Sequence, residues 1–104
     1  MAAAYSVVLT QEARDNIEEI TGYIAEQSGF VPASSVLKRI TDGLRSLERM
    51  PQRCSPSKKL WVSQQGGRDY IFLGLPYIAP FLIDEAASTV TVIAVYHGKM
   101  NWQT

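Results

Sequence analysis

The chain has 104 residues, 46% of them apolar and 19% charged, with ten basic and ten acidic side chains that cancel to a net charge of zero. These are ordinary globular values, and the length suits one core and one domain over residues 1–104. One cysteine, Cys54, excludes an internal disulfide and fits a reducing compartment, and with one histidine it is too few for a structural zinc site.

The N-terminus shows no basic segment ahead of an apolar one, so no signal peptide is expected. Residues 5–9 are aromatic and β-branched, a strand candidate. Thr10 stands at an N-cap position with Glu12 in the first turn. Ala13, Ile17, Ile20 and Ile24 then recur at helical spacing with Tyr23 beside them, and Ser28-Gly29 closes the helix. A second helix is expected from Pro32, with Val36, Leu37, Ile40, Leu44, Leu47 and Met50 as its apolar face and Pro51 as its stop. The short connection makes the pair an antiparallel hairpin. Gly43 inside the second helix predicts a close approach of another element. Residues 51–65 form a Pro-, Ser-, Arg- and Lys-rich loop whose apolar island, Leu60, Trp61 and Val62, is either a short strand or a plug at the core edge.

Gly66-Gly67-Arg68 is a turn, followed by strands over 70–73, 77–83 and 89–96, with a small polar turn at 84–88. The apolar run 70–83 is too short for a membrane helix and is broken by Gly74, Pro76 and Pro80. Pro80 cannot donate to a ladder, so it marks an edge or a bulge. The expected fold is therefore α+β, in the order β-α-α-β-β-β, a helical hairpin on one face of a mostly antiparallel sheet. Charge is uneven along it. Residues 1–30 carry one arginine against five carboxylates, and residues 31–70 carry eight basic groups against three acidic ones. Ion pairs between the two helices account for this most simply. The loop from Arg53 to Lys59 is also open to an acidic partner.

His97 is the natural acid–base candidate, yet it has no carboxylate neighbour in sequence and precedes a glycine at a strand end, where a histidine also serves to shape a turn. A Cys54–His97 nucleophile pair has no support from spacing. Gly66-Gly67 lacks the lysine of a phosphate loop. Arg68 can fork onto a carboxylate or a phosphate, or make a structural pair. Tyr77 and Phe81 share a strand parity and read as core or as a partner's groove. Lys99 and Trp102 follow the last strand, with Trp102 either a lid on the core or an interface anchor.

Residues 74–84, Gly-Leu-Pro-Tyr-Ile-Ala-Pro-Phe-Leu-Ile-Asp, and residues 97–102, His-Gly-Lys-Met-Asn-Trp, resemble the ParE toxins of type II toxin–antitoxin pairs, in the wider RelE/ParE superfamily. The openings 5–13 and 15–25 are similar as well, so the resemblance covers nearly the whole chain. It implies that the first strand lies beside the last one. It also implies a cytoplasmic, growth-inhibiting toxin of the plasmid-stabilisation type that needs no cofactor, metal or membrane, binds and poisons DNA gyrase without direct contact to nucleic acid, and is silenced by a ParD-like antitoxin in a hetero-oligomer. Arg68, Tyr77, Phe81, His97, Lys99 and Trp102 are the implied target- or partner-binding residues, with no catalytic residue among them.

Two alternatives stand beside this. The first is a RelE-like, ribosome-dependent mRNA endoribonuclease, which Lys58 and Lys59 resemble. That branch, however, carries an arginine early in the strand beginning at Tyr77 and another where this chain has Met100, with a tyrosine beyond. The second is a non-toxic binding module with the toxin fold. For the antitoxin, an apolar groove between hairpin and sheet, ready for an amphipathic segment, is expected.

Overall fold

A computed structural model describes residues 4–98. Lys99 and Trp102 lie outside the described residues. Strand β1 (Ser6–Leu9) leads into helix α1 (Gln11–Ser28), and the Thr10 hydroxyl accepts the Ala13 N–H at 3.0 Å, the expected N-cap. Gly29, at φ 94° and ψ 177°, closes α1 and starts helix α2 (Phe30–Arg45) at once. That backbone region is open only to glycine, and it lets α2 begin two residues before Pro32. Helix α2 also ends earlier than its apolar spacing predicts, at Arg45 rather than Met50. The Arg53 guanidinium donates to the carbonyls of Arg49 at 2.7 Å and Met50 at 3.1 Å, and holds the chain in two 3-10 turns, Ser46–Glu48 and Pro51–Arg53. Met50 stands at φ 47° and is exposed, so it leaves the apolar face it was assigned to, whereas Leu47 is fully buried.

Next come β2 (Ser55–Pro56), a single helical turn α3 (Leu60–Ser63), β3 (Arg68–Ile71), β4 (Tyr77–Asp84), β5 (Thr89–Val92) and β6 (Tyr96–His97). The Leu60–Val62 island is thus a helical plug and not a strand. Strand β3 starts two residues before the expected 70–73, because Arg68 and Asp69 pair with Pro56 and Ser55 of β2. Leu73 drops out into a turn at Gly74, whose φ is 77°. The sheet order is β1-β5-β4-β3-β2, with β6 also on β4; β1 is parallel to β5 and the other pairings are antiparallel.

The strand expected over 89–96 is broken at 93–95. Phe81 pairs with Val92 and Ile78 with Tyr96, so two residues of β4 face three on the other strand, a β-bulge opposite Pro80. The Ile93 N–H donates to the Pro80 carbonyl at 2.8 Å, and the reciprocal bond would need an N–H that proline lacks. The Ile93 carbonyl instead accepts the Thr10 hydroxyl at 2.6 Å, and the Val95 N–H donates to the Asn16 side chain at 3.0 Å. One threonine therefore caps α1 and satisfies the bulge, so helix and sheet are fastened where the proline breaks the ladder.

The core lies between the hairpin and one sheet face: Ala13 and Ile17 from α1, Ile40 and Leu44 from α2, Leu47 after it, and Phe72, Ala79, Phe81, Val90, Val92 and Val95 from below. Gly43 sits where an added Cβ would lie 2.9 Å from the Phe72 ring and 3.0 Å from Tyr70, the close approach its sequence position predicts. On the other face α3 buries Val62 completely. Gly67 permits this: a Cβ there would stand 2.2 Å from Val62 and 2.9 Å from Leu82. The expected ion pairs between the helices are not what the fold shows. Among the described residues the salt bridge is Lys38–Asp42 at 2.8 Å, within α2 itself.

Candidate partner-binding surface

Strand β3 begins with two charged residues that point to opposite tasks. Arg68, half-buried, donates from its guanidinium to the Cys54 carbonyl, so in this structure it holds the approach to β2. Asp69 is buried and was not singled out from sequence. Its carboxylate accepts the Ser57 hydroxyl at 2.7 Å and the Lys58 N–H at 3.0 Å, and Ser57 Oγ accepts the Lys59 N–H at 3.1 Å. A carboxylate at the start of an apolar strand is the available sequence signal, since a buried charge requires such partners. The result is a fixed 57–59 turn that sets the Lys59 ammonium over the Tyr96 ring, 5.4 Å from its centroid.

Tyr77 and His97 are register partners across β4 and β6, with ring centroids 6.0 Å apart at 87°, edge to face. They border a cavity of about 270 Å³ whose other walls include Glu12, Asn16, Glu19 and Tyr96. Burial, then the charges of Asp69 and Glu12, push the Tyr96 phenol up to about 12, so it stays protonated at neutral pH. The cavity therefore presents two carboxylates and aromatic rims, a lining that suits a cationic or hydrogen-donating group and repels a phosphate. Burial likewise raises the Cys54 thiol, which disfavours the thiolate a nucleophile needs.

Of the residues expected at a surface, Phe81 is fully buried in the core, so its place is structural; Tyr77 lies on the same strand half-buried at the cavity rim. The six are thus not one cluster. Tyr77 and His97 are brought together, Arg68 and Phe81 pair across β3 and β4 inside the sheet, and Lys99 and Trp102 are outside the described residues.

Between hairpin and sheet lies a groove of about 400 Å³, lined by the apolar Tyr70, Phe72, Leu73 and Leu75 but also by Arg39, Asp42 and Ser46. Arg39 donates to the Leu73 carbonyl at 2.7 Å and leaves that leucine 91% exposed. A second groove, about 310 Å³, runs along the outside of the hairpin between Glu18, Gly22, Ala25, Phe30, Ala33 and Leu37. No group of three or more His, Cys, Asp or Glu among the described residues could hold a metal, and no described helix is long and apolar enough to cross a membrane.

The family model for the ParE toxin of the type II toxin-antitoxin system parDE matches residues 7–102. Among solved structures, the chromosomal ParDE system from P. aeruginosa aligns at a TM-score of 0.77 and 16% identity, over 92% of this chain and 98% of that one. The toxin–antitoxin complex RelBE2 from Mycobacterium tuberculosis aligns at 0.65 and 20% identity, over 93% and 94%. Both likenesses establish the α+β fold. No curated protein sequence matches the chain.

Proposed function

We propose that this chain, which belongs to the ParE toxin family of type II toxin–antitoxin systems, arrests growth in the cytoplasm by binding DNA gyrase and is silenced by a ParD-like antitoxin in a hetero-oligomer. The observation that carries the choice against RNA cleavage is the cavity beside His97. Glu12 and Glu19 line it. An mRNA phosphate would meet two negative charges there, where a nuclease needs cations to stabilise transition-state charge. In this reading Tyr77, His97, Lys99 and Trp102 supply the contact surface, while Arg68 and Phe81 hold the sheet beneath it.

One observation favours the endoribonuclease: the fixed turn that places Lys59 over Tyr96, with Lys58 beside it. A supercoiling assay separates the two. Purified protein is expected to inhibit gyrase and accumulate cleaved DNA, and to leave mRNA on translating ribosomes intact. Intact gyrase activity with cut mRNA would refute the proposal. His97→Gln keeps a polar side chain and cannot shuttle protons, so toxicity in a host is expected to persist; a nuclease that used His97 would lose roughly 10²–10⁴-fold in rate.

A further inference from the structure

We infer that strand β1 is a self-association edge: two copies of this chain pair their β1 strands antiparallel about a two-fold axis at Val8 and join their sheets into one. The inference stands apart from the toxin–antitoxin reading above.

The first observation is the backbone. The Ser6 N–H donates to the Ser88 carbonyl at 2.8 Å and the Thr10 N–H to the Val92 carbonyl at 3.0 Å, so the even-numbered residues of β1 turn their backbone groups toward β5. The odd-numbered ones turn theirs outward. The Tyr5 N–H is taken by the Glu48 carbonyl at 2.8 Å. The N–H and C=O groups of Val7 and Leu9 have no partner among the described residues. Such a row is a template for another strand unless charge, proline or shortness guards it. The opposite edge of the sheet is guarded: β2 has two residues, and Pro56 offers no N–H. Strand β1 reads Ser-Val-Val-Leu and carries none of these guards.

The second observation selects the occupant. An axis at Val8 sets Val7 opposite Leu9 of the second copy, and Leu9 opposite its Val7, so every open group of both strands is paired. Val8, 45% exposed, then meets its own copy as a close apolar cross-strand pair. Beside β1 runs a groove of about 200 Å³, lined by Val7, Leu9, Thr41, Leu44, Arg45 and Glu48. Neither Arg45 nor Glu48 takes part in a described salt bridge. The Glu48 carbonyl holds Tyr5 at the start of β1, so the rotation brings the Glu48 end of each rim toward the Arg45 end of the other. A rim with one guanidinium and one carboxylate is thus its own complement under a two-fold axis. An uncharged peptide would leave both groups unmatched, and a partner of one sign would repel one of them. A strand of four residues with its rims stays below the roughly 1,200 Å² of a standard interface, so the association is weak and depends on concentration.

The test is sedimentation equilibrium of the purified full chain alone. Wild type is expected to show a monomer–dimer equilibrium. Val8→Lys puts two ammonium groups face to face on the axis and is expected to weaken the dimer at least tenfold, with the circular dichroism of wild type. Arg45→Glu and Glu48→Arg are each expected to weaken it at least fivefold alone, and an equal mixture of the two is expected to associate again, because each then offers the other an opposite charge. That rescue decides the matter even where Val8→Lys does not fold. Wild type that stays monomeric up to about 1 mM, the ceiling of a weak contact, would overturn the inference. So would a folded Val8→Lys protein that dimerises like wild type, or charge variants whose mixture associates no better than either alone.

Discussion

Two glycines sit inside helices, and replacing each by alanine is expected to have opposite effects. The helix-propensity gain is the same at both, about 1 kcal/mol. At Gly22 the new methyl meets nothing within 4 Å, so the whole gain is kept. For a domain of this size that raises Tm by about 4–8 °C. At Gly43 the methyl would stand 2.9 Å from two atoms of the Phe72 ring and 3.0 Å from Tyr70. Neither ring can swing aside freely, because they wedge each other edge to face at 4.9 Å and Phe72 is buried. Overpacking of this kind is unfavourable by about 1–3 kcal/mol. Net stability should therefore fall at Gly43→Ala by up to about 2 kcal/mol, after the propensity gain is subtracted. Urea unfolding followed by far-ultraviolet circular dichroism measures both variants against wild type. A rise in stability at both positions would show that the helix–sheet approach at Gly43 is looser than described; a fall at Gly22 would show that its surroundings are not open.

Thr10→Val removes the cap on Ala13 and the bond to the Ile93 carbonyl; a loss of about 2 kcal/mol in urea unfolding is expected. Asp69→Ala strands the Ser57 hydroxyl and the Lys58 N–H, and is expected to lower stability by about 2 kcal/mol and to speed limited trypsin cleavage at Lys58 and Lys59 relative to wild type. Tyr96 has its folded pKa raised from 10.0 to about 12; its contribution to stability is complete below the unfolded value and is lost as pH climbs through that window. Ultraviolet difference titration should show one tyrosine ionising last, and Tyr96→Phe should flatten the alkaline loss of stability.

Much of this fold was readable because its elements are long or punctuated. The isoleucine stripe of α1, the Thr10 cap and the Gly29 stop define that helix, and Gly43 and Pro80 each announced a real feature, a close approach and a bulge. Short or tertiary features were not. Leu60–Ser63 is a single turn, too short for helical and strand periods to differ. The end of α2 is set by Arg53 reaching back to carbonyls, a contact that leaves Leu47 and Met50 at helical spacing in the sequence. The candidate surface was the least legible part. Phe81 lies fully buried in the core, Arg68 is half-buried and donates to the Cys54 carbonyl, and the Asp69 turn depends on pairing β3 with a two-residue strand that no pattern signals.

Pro80 also acts as a frameshift in side-chain alternation. Before the bulge, Val90 and Val92 bury against the helices; after it, the buried partner is Val95, so the facing residues change from even to odd numbers. Had the register run on unbroken, Tyr96 would stand opposite Tyr77; the inserted residue puts His97 there instead and turns Tyr96 toward Lys59. The proline thus decides which ring stands opposite Tyr77 and which lies under Lys59. Deleting one residue from 93–95 should exchange the two faces of the strand's end, a chemical rearrangement much larger than any single substitution at either ring.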